Sequence, residues 1–330
     1  MKRFSAIAYF FNTLFFLTFT NLSTDIVAAE VDWPKKPIQL ILSFPPGGST
    51  DIMARSVATA LEPILGQPIV IENKPGAGGM IGLSAAAKSS PDGYTIHVSA
   101  MTNQAISQSL FSNPPADLRK DFSPVAMLGS LPHLIEINPK VPANNLKELI
   151  AYIRSKNGDF NFASQGNGTL SHLEAEVFMQ RIGSTGTHIP YKGSSFALPD
   201  LIAGNTVMMF DSVSASLPYV RSGKLRPIAI AASQRTPLLP DVPTLTQAGL
   251  ADFDVENYCA LYVPKGTPQT IIDKLENAVR QALNNKEMID RVEGQGIHLH
   301  FESASRLVEI TQMEHDKWKK VVKSANVKID

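Results

Sequence analysis

Cysteine, net charge and long apolar runs are all scarce in this chain. A single cysteine, Cys259, in 330 residues excludes an internal disulfide and a cysteine-built zinc site. Thirty basic side chains against thirty acidic ones give no electrostatic reason to bind nucleic acid or anionic lipid. The one extended apolar stretch is N-terminal, so the body of the chain is not expected to be membrane-embedded.

That stretch reads as an export signal. Lys2 and Arg3 form a basic head, an apolar segment runs from Phe4 to Leu22, and Val27-Ala28-Ala29 supplies small residues before a cleavage point at Glu30. An uncleaved anchor is the alternative, although Asn12, Thr13, Thr18 and Thr20 weaken the segment as a membrane span. No cysteine follows the signal, which argues against a lipoprotein. Its removal leaves a net charge near minus one and a mature chain from Glu30 to Asp330. A neutral, exported chain without disulfides fits a bacterial periplasm better than a small stapled secreted domain.

The mature chain has the length of two ordinary domains. In its first third, strand-like runs at 38–44, 69–73 and 94–100 alternate with helical patterns near 51–62 and 79–89, which predicts a parallel sheet covered by helices. Ala54, Val57, Ala58, Leu61 and Leu65 share one helix face, with Arg55, Ser56, Thr59 and Glu62 on another. Pro63 is expected to end or kink this helix, and Gly66 to close it. A second α/β series starts at "HLIEINP" and runs to "RPIAIAAS". The pattern then reverts: "NYCALYVP", a helix opened by Thr267-Pro268, and a last amphipathic helix near 304–323. The tail is too short for a third domain and its helices need a sheet to cover. The expected plan is a signal at 1–29, a discontinuous lobe 1 at 30–128 and 257–330, and an inserted lobe 2 at 129–256. Two chain crossings make a hinge, and a hinge between α/β lobes makes a cleft.

"SFPPGGSTDI" carries the chemistry. Prolines stiffen the strand exit, Gly47 and Gly48 permit positive φ, Ser49 or Thr50 can cap the following helix, and Asp51 suits its first turn. Backbone amides then face the carboxyl end of a parallel strand, where open α/β sheets bind ligands and helix starts accept anions. Charge-assisted hydrogen bonds contribute about 1.5–3 kcal/mol each. Three or four, with up to ~2 kcal/mol from a helix terminus, reach the ~8 kcal/mol of micromolar binding. Without Lys or Arg in the turn, a carboxylate suits it better than a phosphate; a capped turn with no ligand is the plain alternative. "SQGNGTLSHLEAEVF" repeats the plan in the second block, so the two turns suggest a pincer.

At these residues the chain resembles a family. "PIQLILSFPPGGSTDIMAR", "GQPIVIENKPGAGGMIG", "SPDGYTIHV", "IPYKGSSFALPDLIAGNTVMMFD" and "VPKGTPQTIIDKL" are similar, in order and along the whole mature chain, to the Bug-type solute-binding proteins. These are the periplasmic receptors of tripartite tricarboxylate transporters. The resemblance implies a two-lobed Venus-flytrap α/β fold of the periplasmic-binding-protein type that closes on a small organic carboxylate. It points to Pro46, Gly47, Gly48, Ser49, Thr50 and Asp51 in lobe 1, with Thr102 and Asn103 after the third strand. In lobe 2 it points to Ser164, Gly168, Thr169 and Ser171, with Tyr191 and Asp211 as further cleft residues. Asp51 and Asp211 suit structural roles better than contact with an anion; pairing with the ammonium of an amino-acid ligand is the sharper option. The chain departs from the family at "VENYCALYVP", where many relatives carry a tryptophan near Tyr258. The implied protein is a monomeric receptor without cofactor that hands its ligand to membrane transporter subunits.

Rival motifs are weaker. In "NKPGAGGMIG" the dinucleotide pattern is broken by Ile81, which favours a glycine-eased turn with close helix-to-sheet packing. His298, His300 and Glu302 alternate along one strand, and a solvated face explains them better than a metal. A secreted hydrolase acting on a carboxylate-containing substrate is the alternative from another class. No G-x-S-x-G elbow occurs, and Cys259 sits in a strand-like apolar run.

Overall fold

The computed structural model describes residues 32–251, 253 and 255–325; the predicted leader lies outside them. Strands β1 (Ile38–Leu42), β2 (Ile69–Asn73), β3 (Thr95–Ala100), β4 (Phe122–Ser130), β10 (Tyr258–Pro264) and β11 (His298–Ser303) form one sheet in the order β11-β4-β10-β3-β1-β2. A second sheet, ordered β7-β6-β8-β5-β9, comprises β5 (His133–Ile137), β6 (Asn161–Ser164), β7 (Thr187–Pro190), β8 (Met208–Ser212) and β9 (Arg226–Ala231). Both sheets are mixed. β2-β1-β3 and β7-β6-β8 run parallel, while β10 lies antiparallel between β3 and β4, and β5 antiparallel between β8 and β9. The first three strands are parallel as expected, and the returning tail adds the antiparallel β10 and β11 that make the sheet mixed. From Cys259 to Val263 every residue of β10 is fully buried. Covered on both faces, it reads as an apolar run without alternation, and each fully buried Leu or Val contributes about 1.5–3 kcal/mol.

The chain passes from the first sheet to the second between β4 and β5 and returns between β9 and β10. The two crossings are tied together: Leu131 N donates to Asn257 O at 2.8 Å, and Asn257 Nδ2 lies 3.2 Å from His133 Nε2. Among the described residues no helix is long and apolar enough to cross a membrane.

Helix α1 (Ser49–Leu65) runs through Pro63 and ends at Gly66, whose φ of 72° completes the cap as expected. The predicted break does not occur. Pro63 removes the bond to the Thr59 carbonyl, and both residues lie on the exposed side of the helix. The apolar face is buried as read, but Ser56 is buried with it rather than standing on the solvent face, beneath helices α8 (Gln269–Leu283) and α9 (Lys286–Glu293). Pro268 precedes α8 as its cap rather than opening it. The last helix, α10 (Ala304–Ala325), packs on α3 (Met101–Leu110) and on α5 (Leu170–Ile182) of the second lobe. There Trp318 and Val322 join Ala105, Ile106, Leu170 and Leu173 in one apolar cluster.

Candidate functional site: a neutral cleft between two glycine turns

The first wall is the turn from β1 into α1. Gly47 has φ 86°, a left-handed conformation that favours glycine, whereas Gly48, the cap residue, has an ordinary φ of −83°. Only one of the two glycines is thus required by backbone geometry. No side chain caps α1, so its first amides lack intrahelical acceptors and point out of the helix start. Asp51 fixes the turn from behind. Its carboxylate accepts from Gly47 N at 3.1 Å, Asn73 Nδ2 at 3.1 Å and Arg55 Nε at 2.9 Å.

The opposite wall comes from the second lobe, at the start of α6 (Ser194–Ala203) and the end of β6. Gly193 precedes α6 with φ 127° and again no side-chain cap. A Cβ added there would stand 2.6 Å from Pro45 Cγ, so the two walls touch. Asp211 supports this wall: its Oδ1 accepts from Gln165 Nε2 at 2.6 Å, Ser194 Oγ at 2.7 Å and Ser212 N at 2.7 Å. Burial raises the Asp211 carboxyl above its ordinary value, opposed by His133 and by these donors.

Between the walls lies a small cavity of about 20 Å³, bordered by Phe44, Pro45, Gly48, Ser49 and Thr50 from one lobe, Gln165, Gly193 and Ser194 from the other, and Asn103 at the seam. Asn103 Oδ1 accepts from Leu170 N at 2.7 Å, joining the starts of α3 and α5 across the lobes. No border residue is charged. Two helix N-termini, each equivalent to about half a positive charge, converge on a space bounded by neutral donors. Such a space can desolvate one small anion.

Of the expected site residues, Gly48, Ser49, Thr50 and Asn103 border this cavity. Pro46 and Gly47 are exposed beside it, and Asp51 and Asp211 stand behind its walls. Thr102 points elsewhere, its Oγ1 lying 3.1 Å from Glu256 O and 3.0 Å from Glu314 Oε2. Gly168 accepts from Ser107 Oγ at 2.8 Å, and Thr169 caps α5. Ser171 bonds the Phe210 carbonyl. Ser164 Oγ lies 2.6 Å from His188 Nε2; burial, then the stacked His172 ring, pulls His188 down to about 3. Tyr191 stands on the rim, donating to Asp200, and burial, aided by that bond, pushes its hydroxyl up to about 12. The second glycine turn therefore spends its donors internally, and α6 supplies the opposing helix start instead. Sequence reasoning missed Phe44, Pro45, Gln165, Gly193 and Ser194. The run "YKGSS" offered the available signal, a glycine before hydroxyl residues at a helix start.

The rival motifs resolve simply. A Cβ at Gly82 would lie 2.7 Å from Ser43 Cα, so that glycine serves close helix-to-strand packing. His300 Nε2 lies 2.9 Å from Glu302 Oε1 on an exposed edge, and among the described residues no three side chains are grouped to hold a metal ion. Cys259 is buried, and burial raises its thiol.

An α/β chain with two sheets flanking such a cleft has the two-lobed fold of periplasmic binding proteins. The profile of the tripartite tricarboxylate transporter family receptor matches residues 53–327, and the chain belongs to that family, whose members are periplasmic receptors. Protein BugT of Bordetella pertussis is 37% identical over 312 residues, covering 93% of this chain and 96% of that one. The solved structure of MatC (Rpa3494) from Rhodopseudomonas palustris with bound malate is 33% identical, with a TM-score of 0.83 over 88% of this chain and 100% of the other. R. palustris Rpa4515 with adipate is 29% identical, with a TM-score of 0.86 over 90% and 99%. The family and these neighbours are solute-binding proteins, as the resemblance implied.

Proposed function

We propose that the protein captures a small organic carboxylate in the cavity between its lobes and delivers it to a tripartite tricarboxylate-type membrane transporter. The observation that carries this reading is the convergence of the α1 and α6 starts on a cavity with no charged border residue. A carboxylate there gains hydrogen bonds from both lobes, and because these donors are already oriented they offset its cost of leaving water. Contact with both lobes favours the closed arrangement over an open one, so ligand shifts that population and a surface spanning both lobes reports it. The bound malate and adipate of the two neighbours are consistent with an acid as ligand. Export by the N-terminal segment, residues 1–29, places the receptor where a transporter can meet it.

The test is direct. Protein purified without added ligand is examined by native mass spectrometry, then titrated calorimetrically with mono-, di- and tricarboxylic, aromatic and amino acids. The expected result is one-to-one binding of an acid that is recovered unchanged. Chemical turnover would favour the hydrolase alternative, and failure of every acid to bind would overturn the reading.

A further inference from the structure

Behind the second wall lies a buried ionic cluster that does not border the ligand cavity. His133 opens β5 at the first crossing, and its Nδ1 lies 2.7 Å from Oε2 of Glu174 on α5, both side chains buried. Asp211 of β8 and Glu136 of β5 are buried with them, and Asp211 disfavours the ionised form of Glu136. Among the described residues Glu174 Oε1, Asp211 Oδ2 and Glu136 Oε2 have no hydrogen-bond partner. Three carboxyls thus share one imidazole. Three bare negative charges out of water, against at most one positive, are prohibitive, so the cluster must hold protons. It reaches in two directions. Asp211 Oδ1 accepts from Gln165 and Ser194, which border the ligand cavity. His133 Nε2 meets Asn257 Nδ2 at 3.2 Å on the second crossing, so both chain passages between the lobes touch the cluster. The Asn257 amide can serve either state of the ring. As placed, its Nδ2 donates to an unprotonated Nε2. Its Oδ1, buried and without a partner among the described residues, accepts from a protonated Nε2 after a half-turn.

Resting on the function proposed above, we infer that this cluster is a proton site filled together with the ligand, so that the receptor takes up a proton, held at His133, when it captures an acid. Among the described residues the charges that face His133 are Glu174 and then Asp211, while β8 and β9 present Ser212 and Ala231 opposite it. Burial works against charge on the ring, but these carboxylates outweigh it and lift His133 above its ordinary value. A ligand carboxylate beside Gln165 and Ser194 brings one more negative charge to the Asp211 side of the cluster, and the proton affinity rises further. The reciprocal gain in ligand affinity is fully present below the titration of the free protein and is lost as pH rises through that of the complex. A unit charge roughly 10 Å away, at an effective dielectric of about 20, changes a proton affinity on the order of tenfold, which bounds the fall in ligand affinity. Opening of the lobes releases acid and proton together.

The experiment is calorimetry with malate, adipate and whichever other acids of the panel bind, run at pH 7.5 in Tris and in triethanolamine. These buffers differ in ionisation enthalpy and have no anionic form. Ligand carboxyls are ionised and amino groups protonated at that pH, so a buffer-dependent heat counts protons taken up by the protein. The wild type is expected to take up a fraction of a proton per ligand, and its affinity to fall, by at most about tenfold, between pH 7 and pH 9. His133→Gln, which keeps a hydrogen-bonding amide at the site, is expected to bind with neither the uptake nor the pH slope. Glu174→Gln removes the carboxylate that favours the proton and diminishes the uptake, and it stands in if His133→Gln does not fold. A melting transition in each variant shows that folded protein is compared. Wild-type binding without proton uptake across that range, or uptake unchanged in His133→Gln or in a stand-in Glu174→Gln, overturns this inference and leaves the carboxylate reading intact. If no acid binds the wild type, both fall.

Discussion

Replacing Asn103 by aspartate probes the neutrality of the inner cavity with almost no change in shape. Asn103 is 3% exposed and borders the cavity, and its Oδ1 holds Leu170 N at 2.7 Å. In Asn103→Asp that acceptor remains, the position stays in the first turn of α3 where a negative charge is favoured, and only the amide nitrogen becomes an oxygen. The added charge faces a space without a compensating cation. For a ligand carboxylate about 5 Å away at an effective dielectric of about 20, the repulsion is about 3 kcal/mol, roughly a hundredfold loss in affinity. Calorimetry at neutral pH with the tightest acid of the panel reads that loss. Lowering the pH until the introduced carboxyl protonates restores part of the affinity. Asn103→Ala is the control: it adds no charge but orphans a buried N–H, costing about 1–3 kcal/mol of stability. Binding by Asn103→Asp within threefold of wild type, with an intact melting transition, would refute the reasoning.

Other expectations follow from the supports of the site. Asp51→Ala leaves three donors without their acceptor and is expected to cost about 2–4 kcal/mol in chemical denaturation; a loss below 0.5 would show that the turn holds itself. Gly47→Val forces a β-branched residue to φ 86° and is expected to destabilise by about 1–3 kcal/mol, whereas Gly48→Val, at φ −83°, meets no such strain. Equal stability losses in the two variants would contradict that distinction. Glu136 is fully buried, its carboxyl raised well above the ordinary value by burial and by Asp211, and bonded by Ser216 Oγ at 2.7 Å. Folding therefore takes up a proton above the unfolded carboxyl value, and this contribution to stability is lost as pH rises toward the folded one. Glu136→Gln, neutral throughout, should gain melting temperature relative to wild type between pH 5 and pH 8; a difference independent of pH would contradict the assignment.

Strands with plain apolar runs were legible. β2 and β5 begin where the sequence reading placed them, because each carries a short apolar core, Ile69-Val70-Ile71 and Leu134-Ile135, with no proline in it. β4 escaped notice: Pro124 and Gly129 break its pattern, and its pairing with β10 shifts register twice. Helix α3 was equally hidden, since Thr102, Asn103, Gln104, Ser107 and Gln108 are all buried and leave no polar face to give a period. The first glycine turn could be read locally, since strand, turn and helix start are contiguous. The opposing wall could not. Gln165 and Ser194 stand 29 residues apart and meet through Asp211, a contact made by the second sheet rather than by any motif. The second glycine turn drew attention by composition, yet its first helical amide is consumed by Asn103.

A crystal structure of the protein with its tightest acid bears most directly on all of this. One carboxylate of that ligand should lie within hydrogen-bonding reach of the amides opening α1 and of Ser194 Oγ, with no Lys or Arg touching it. No carboxylate inside that cavity, or one clasped there by a cationic side chain, would contradict the account.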